Sequence, residues 1–181
     1  MMNMNYQVRR ATLDDAPAIE AVCRAGSQFS ELSQNLAPKE ILDAVNDYWY
    51  NPEQLAQDIP HSGKWQGYYV AVEDDGEVVG ATCGCVNDDG TGQLLCLFIN
   101  PELLRHGIGS TLVKTLSDEQ IKLGATRQLV YVTKGNMIAL PFYESVGFQI
   151  VEEKPRVGYG VPENAGLFEW VMIRPLGEES A

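Results

Sequence analysis

The stretch Asn136-Met-Ile-Ala-Leu-Pro-Phe-Tyr-Glu-Ser-Val-Gly-Phe148 predicts a short helix that ends at a glycine. Asparagine is a frequent N-cap, so the helix is expected to begin at Asn136. Glycine readily takes the left-handed conformation that ends many helices, which places the stop at Gly147. The apolar positions between them recur at helical spacing: Ala139, Phe142, Tyr143 and Val146. By itself the pattern indicates a packed helix in which Tyr143 is a core residue.

A second glycine-bearing stretch lies one strand earlier, Ile99-Asn-Pro-Glu-Leu-Leu-Arg-His-Gly-Ile-Gly-Ser110. The first N–H groups of a helix lack intrahelical partners and lie at the positive end of its dipole, so they can bind anions. Because Gly107 and Gly109 have no Cβ, they would let a phosphate approach this backbone. A P-loop would need a lysine after Gly109, and a dinucleotide-binding G-x-G-x-x-G would need glycine where Leu112 stands. The letters exclude both sites and leave either a plain turn or a different anion site.

Hydrophobic periodicity outside these stretches predicts a mixed α/β fold in a single domain over residues 1–181. No repeat, low-complexity tract or linker divides the chain. Turn residues such as Asp74-Asp75-Gly76 separate the strands in the middle of the chain. Strands are predicted at 6–10, 68–73, 77–86, 93–99, 129–133, 148–152 and 167–174. Helices are predicted at about 12–29, 37–59 with a break near Asn51-Pro52, 107–123 and 136–146.

The composition is acidic, with 25 Asp and Glu residues against 13 Lys and Arg residues and a formal net charge of −12. Proteins that bind nucleic acid present clustered basic residues, so this balance argues against such a partner. It suits a cationic substrate, although an ordinary solvated surface carries the same charges. No stretch reaches the roughly 20 apolar residues of a membrane helix. The first residues lack the pattern of a secretory signal, so we expect no membrane association and a cytoplasmic location.

Four cysteines stand at positions 23, 83, 85 and 96. Cys83 and Cys85 lie two apart in a predicted strand, so their side chains share one face of the sheet. A structural zinc site commonly uses Cys-x-x-Cys pairs, and the sequence has none. We therefore predict reduced, mostly buried thiols and no metal site.

Together, the two glycine-bearing stretches resemble the GNAT superfamily of acetyl-CoA-dependent N-acyltransferases. The stretch that begins at Leu104 is similar to the family's Arg/Gln-x-x-Gly-x-Gly/Ala loop, and the later stretch matches its Asn-x-x-Ala-x-x-Phe-Tyr-Glu-x-x-Gly-Phe helix letter for letter. The resemblance is strong over about residues 68–152. It implies a mixed, mostly antiparallel sheet of about seven strands, with about four helices on both faces. It also implies that acetyl-CoA is the co-substrate, in a cleft between the strands that end at Ile99 and Thr133.

The resemblance assigns roles to residues at the matching positions. The edge of strand 97–99 would bond the pantetheine arm and polarise the thioester carbonyl, and the N–H groups of residues 105–110 would hold the pyrophosphate. Asn136 would bond the pantetheine arm, and the hydroxyl group of Tyr143 would protonate the leaving thiolate. The predicted co-substrate residues are Leu97, Phe98, Ile99, Arg105, His106, Gly107, Ile108, Gly109, Ser110 and Asn136, and the predicted catalytic residue is Tyr143.

Two positions depart from the family pattern. Leu104 stands where the loop usually has Arg or Gln, with Arg105 one residue later. Because the family's loop holds the pyrophosphate chiefly through backbone N–H groups, we expect this chain to bind pyrophosphate despite the change at Leu104. Gln93 stands where many relatives have a catalytic glutamate, and an amide is not a base. The sequence therefore does not identify the group that deprotonates the acceptor amine.

The whole chain is most similar to bacterial polyamine acetyltransferases of the spermidine/spermine type, which share the segment Asn51-Pro-Glu-Gln-Leu55 and the turn-rich insert Pro155 to Gly166. The resemblance thus implies a small, cationic amine acceptor. Two alternatives stay open: an acyl-CoA-binding domain without turnover, and an enzyme acting on a protein N-terminus or lysine. A final strand pair often joins dimers in this family, which makes a homodimer a further hypothesis. The candidate steering charges are Glu31, Glu40, Asp43 and Asp47.

Overall fold

Seven strands and five α-helices follow one another along residues 4–177, the part of the chain that the computed structural model describes. The strands are β1 Tyr6–Arg10, β2 Trp65–Glu73, β3 Val78–Val86, β4 Thr91–Ile99, β5 Arg127–Thr133, β6 Gln149–Pro155 and β7 Phe168–Pro175. The helices are α1 Ala16–Leu32, α2 Lys39–Trp49, α3 Pro52–Asp58, α4 Ile108–Lys122 and α5 Ala139–Ser145. Within these residues no helix is long and apolar enough to cross a membrane.

The strands form one sheet in the order β1-β2-β3-β4-β5-β7-β6. Its pairs are antiparallel except for β4 with β5, which run parallel. The mixed, mostly antiparallel fold is therefore confirmed. The predicted break near Asn51 divides the stretch 37–59 into α2 and α3, because the Asn51 side chain accepts the Gln54 amide at 2.9 Å and Pro52 opens the new helix.

Each face of the sheet carries its own apolar core. On one face, Leu94 of β4 packs with Leu112 and Leu116 of α4 and with Phe148. On the other face, the core joins α1 and α3 to the sheet through residues such as Ile19 and Leu55. Neighbouring side chains of a strand point to opposite faces. The side chain of Gln93 therefore faces the side of α1 and α3, opposite to Leu94.

A bulge in β4 lies at the level where β4 and β5 separate. Cys83 of β3 pairs with Cys96, and the next residue, Gly84, pairs with Leu94, so Leu95 is an extra residue without a partner on β3. The ladder between β4 and β5 ends at the same level, at Leu94 and Val130. Beyond this point β4 pairs with β3 alone, because the parallel strands have diverged.

The loop between β6 and β7 packs on α2. Gly160 in this loop has φ +98°, and a Cβ there would lie 2.8 Å from backbone atoms of Ala44 and Val45. Only glycine allows both this conformation and this approach. The turn-rich insert predicted after Pro155 is thus a lobe held against the second helix.

Candidate functional site

A cleft of about 1150 Å³ opens where β4 and β5 diverge. It runs from the start of α4 and the side of α5 to α1, α2 and the β6–β7 loop. The structure brings most of the predicted site residues together in its walls: Leu97, Phe98, Ile99, Arg105, Gly107, Ile108, Gly109, Ser110, Asn136 and Tyr143. His106 is exposed and does not line the cleft, and its Nδ1 lies 3.1 Å and 3.0 Å from the carbonyl oxygens of Leu103 and Leu104.

The edge of β4 that faces the cleft is free of backbone partners on β5. From Cys96 to Ile99, pairing with β3 continues, but pairing with β5 has ended at Leu94. An unpaired strand edge presents N–H and C=O groups that an extended, amide-bearing molecule can pair with. The splayed strands therefore form a slot for such a molecule.

The start of α4 presents unpaired N–H groups to the same cleft. The amides of Ile108, Gly109 and Ser110 have no hydrogen-bond partner among the described residues. Gly107, the residue before the helix, has φ +82°, which a side chain would strain. Arg105 also has a positive φ of 67° and lines the cleft. Unpaired amides, the helix dipole and a guanidinium together favour an anion.

Gly109 also has a packing role that the sequence analysis did not predict. A Cβ at this position would lie 3.3 Å from the ring of Phe142 on α5. The glycine therefore allows α5 to pack closely on the start of α4. Of the two loop glycines, only Gly107 needs its backbone conformation, and Gly109 is a packing residue.

Tyr143 of α5 lies buried in the wall of the cleft. Its ring packs against Phe142 and Phe148, with ring centroids 5.2 Å and 5.4 Å away. Among the described residues its hydroxyl group has no hydrogen-bond partner. Burial, and to a smaller extent the nearby Cys96, raises the pKa of this phenol above its usual value near 10. The hydroxyl group thus stays protonated at neutral pH.

Asn136 ties α5 to α1. Its Oδ1 accepts the amides of Ile138 and Ala139 at 3.2 Å and 3.0 Å and so stabilises the turn that precedes α5, which begins at Ala139 rather than at Asn136 as the sequence predicts. The same oxygen accepts Gln34 Nε2 at 2.9 Å, and Nδ2 donates to Ser30 Oγ at 3.0 Å. One amide hydrogen of Nδ2 remains for a ligand, so the contact with a pantetheine arm stays a prediction.

Gln93 lies in the cleft wall, where many relatives have a glutamate. Its side-chain oxygen accepts Asn87 Nδ2 at 3.4 Å, and its main-chain oxygen accepts Gln120 Nε2 at 3.1 Å. A neutral amide held in this way orients a neighbour but takes no proton. The departure noted in the sequence therefore leaves this part of the cleft without a charged base.

The candidate steering charges are not a free acidic cluster. Glu31 lies in the cleft wall, where its Oε1 accepts Arg156 at 2.9 Å. Asp47 bonds Arg24 at 2.9 Å, and Asp43 bonds Lys39 one helical turn away. The sequence analysis missed the other cleft charges, which come from distant segments. These are Asp58, Lys154, Arg156 and Glu169.

Comparison with known proteins identifies the family. A model of the acetyltransferase (GNAT) family matches residues 37–148, which include β4, the loop before α4, and α5. An uncharacterised N-acetyltransferase of Methanocaldococcus jannaschii is 35% identical over 116 residues, covering 60% of this chain and 72% of that protein. The chain belongs to the acetyltransferase (GNAT) family. It is therefore an acyltransferase, and its activity is N-acetyl transfer of the GNAT type.

Solved structures match the fold over almost the whole chain. The PaiA N-acetyltransferase of Thermoplasma acidophilum, solved in complex with coenzyme A, matches with a TM-score of 0.78 at 19% identity, over 95% of this chain and 99% of that chain. The ribosomal-protein-S18-alanine N-acetyltransferase of Escherichia coli matches with a TM-score of 0.68 at 17% identity, over 97% of each. At these identities the likeness shows the fold alone, and the acceptor has to be argued from the cleft.

Proposed function

We propose that this protein transfers the acetyl group of acetyl-CoA to a primary amine of a small cationic molecule, such as a polyamine. The observation that carries the proposal is one cleft that joins a free strand edge to an anion-binding helix start. The free edge, from Cys96 to Ile99, suits the amides of a pantetheine arm. The unpaired amides from Ile108 to Ser110 suit a pyrophosphate. Coenzyme A carries both of these groups on one extended chain.

Acetyl-CoA fits the residues present in three respects. The cleft is continuous from Gly107 to Tyr143, so an extended chain can reach from the helix start to the phenol. Arg105 adds a positive charge at the phosphate end. A free N–H on β4 beside the thioester would polarise its carbonyl oxygen as charge develops there. When bound, acetyl-CoA supplies the activated acyl group, and the protein orients it.

The reaction then needs two proton transfers, one from the acceptor amine and one to the departing thiolate. An alkylamine resembles lysine, with a pKa of about 10.4, so the acceptor must lose a proton before it attacks. Gln93 cannot take that proton, and an ordered water leading to solvent is the simplest route. The departing thiolate needs a proton, and the hydroxyl group of Tyr143, which lines the same cleft, would give it.

The acceptor end of the cleft favours a small molecule over a protein segment. The β6–β7 loop packs on α2 and contributes Tyr159 to the wall at this end, 4.9 Å from Trp49 between ring centroids. Aromatic rings attract alkylammonium groups through their faces. The rings that line this half of the cleft are Trp49, Tyr50, Trp65, Tyr68 and Tyr159. This lining supports a cationic amine acceptor.

Thiol release from acetyl-CoA tests the proposal. We expect the purified protein to release CoA in the presence of primary amines and to yield an acetylated product 42 mass units heavier. Spermidine should be acetylated faster than an aminoglycoside or a peptide with a free N-terminus. Acetyl-CoA binding without turnover of any amine would favour the non-catalytic alternative. A clear preference for the peptide would favour a protein acetyltransferase.

Two hypotheses about the whole chain also remain proposals. All seven strands belong to one sheet, which supports a single domain over residues 1–181. β6 lies at the edge of this sheet, with Ile150 and Val151 exposed. An unpaired edge with apolar side chains supports pairing with a second copy through the last two strands.

A further inference from the structure

The charged groups of the cleft are mostly neutralised by one another. Glu31 bonds Arg156 at 2.9 Å, and Glu169 lies 3.8 Å from Lys154. Two of the charged cleft residues in the described part of the chain, Arg105 and Asp58, have no ion-pair partner. Arg105 lies in the loop before α4, where a phosphate is expected. Asp58 is thus the one carboxylate among these residues that no cation balances.

Asp58 belongs to the acceptor side of the cleft. It is the last residue of α3, and its carbonyl oxygen accepts the indole N–H of Trp65 at 2.9 Å. Trp65 pairs with Cys85, and Cys85 pairs with Gln93 on β4. Strands in a sheet lie about 4.8 Å apart, so Trp65 is about 10 Å from Gln93 across two strands. Asp58 is thus bonded to a residue of β2, two strands from β4 in the sheet, and lies on the face toward which Gln93 points.

The carboxylate of Asp58 can accept further hydrogen bonds from a ligand. Gln54 Nε2 donates to both of its oxygens at 3.0 Å, which leaves further lone pairs free. Burial raises the pKa of this carboxyl, and Gln54 opposes the rise. A carboxylate that water solvates incompletely gains more from a cation than a fully solvated one does. Trp65 and Tyr68 line the same part of the cleft and favour an alkylammonium.

We propose that Asp58 binds a second ammonium group of the acceptor, the one that does not attack the thioester, so that the preferred substrate is a diamine or a longer polyamine. This inference rests on the proposed acetyl transfer. The ammonium group bound by Asp58 would stay charged, because a nearby carboxylate raises the pKa of an amine. The neutral Gln93 near β4 does not have this effect. Asp58 would thus bind the ammonium group that does not react, and the reacting amine would lie near Gln93.

The test compares 1,4-diaminobutane with butylamine, which has the same carbon chain and one ammonium group fewer. The wild-type enzyme should prefer the diamine. Asp58→Asn should lower kcat/KM for the diamine by roughly ten- to a hundredfold, the usual loss of a hydrogen bond to a charged group. It should leave kcat/KM for butylamine within about twofold. Glu53→Gln, on the same helix but outside the cleft, makes the same change of charge and should leave both values unchanged.

An equal loss for both amines, or no loss for the diamine, would overturn the proposal. Calorimetric binding of the two amines in the presence of CoA gives a readout that does not need turnover. Asp58→Asn should weaken binding of the diamine alone. If no amine were acetylated but this selective weakening were seen, the proposed transfer would fail and the ammonium site would stand. Equal affinity of the wild-type protein for both amines would remove the site and leave the transfer intact.

Discussion

Two explanations compete for Tyr143, a packed core ring and a proton donor. The sequence pattern predicts the core ring, and the family resemblance implies the donor. The structure shows a ring that packs against Phe142 and Phe148 and also lines the cleft. Because the hydroxyl group contributes nothing to those ring contacts, the two roles can be separated by removing it.

Changing Tyr143 to Phe should therefore lower kcat while the fold is kept. General-acid catalysis typically contributes 10²–10⁴ in rate, so we expect a loss of roughly that size. The KM for acetyl-CoA should change little, and the thermal unfolding midpoint should stay near that of the wild type. Tyr131→Phe, which removes another hydroxyl group from the cleft wall, should keep its activity. A folded Tyr143→Phe protein with the wild-type rate would leave only the packing role.

Single residues also show the limit of sequence patterns at this scale. The letters around Gly107 and Gly109 predict one shared role, yet one glycine is needed for its positive φ and the other for the approach of Phe142. His106 stands beside them in the sequence but folds back on its own loop. Of these features, the approach of Phe142 is a tertiary contact, which a local motif does not encode.

At the scale of elements, the helices and strands could be predicted because their periodicity and stop signals are local. The bulge at Leu95 could not, although it marks the level at which the cleft opens. The run Gln93-Leu-Leu-Cys-Leu-Phe-Ile99 is apolar almost throughout, so no alternation identifies the extra residue. Its position is set by pairing with β3, a contact between strands that the sequence of β4 alone does not specify.

The junction of β1 with α1 is held by the carboxylate of Asp15. The Asp15 side chain accepts the Thr12 amide at 2.8 Å, and Arg9 of β1 donates to both its oxygens at 2.7 Å and 3.0 Å. The hydrogen bonds from Arg9 lower the pKa of this carboxyl, against the effect of burial. Because the Arg9 side chain is 44% exposed, solvent screens this ion pair and limits what it adds to the free energy of unfolding.

Asp15→Asn should therefore destabilise the fold in a pH-dependent way. At pH 7 we expect a loss of about 1 kcal/mol in the free energy of unfolding, as for loss of a helix cap. Because the folded-state pKa lies below the unfolded value of about 3.9, this stability is present above pH 4 and is lost as the pH falls below it. Urea unfolding at several pH values measures the difference in the free energy of unfolding, the gap, between the wild type and Asp15→Asn. Asp14→Asn, an exposed neighbour, is the control; an equal loss there, or a gap that persists in acid, would contradict the assignment.

For the whole molecule, the two ends of the cleft differ in how far the sequence predicts them. The co-substrate end consists of β4, the loop before α4, and α5, which carry the two family motifs. The acceptor end gathers Asp58, Arg156 and Glu169 from segments that no motif links. The ion pairs of Arg156 with Glu31 and of Glu169 with Lys154 cancel much of the local charge. Net charge alone therefore indicates a cationic substrate, but it does not locate where that substrate binds.

The net charge should still act over longer distances. With a formal charge of −12, the molecule attracts cations before they reach the cleft, and a dication more strongly than a monocation. Salt screens this attraction, since the Debye length falls from about 10 Å at 0.1 M to about 3 Å at 1 M. At saturating acetyl-CoA, kcat/KM for 1,4-diaminobutane should fall several-fold over this range, and kcat/KM for butylamine should fall less. The ratio of the two values removes effects of salt that both reactions share. A ratio that does not change with salt would show that the surface charge serves solvation alone, while leaving binding at Asp58 to be judged by its own variant.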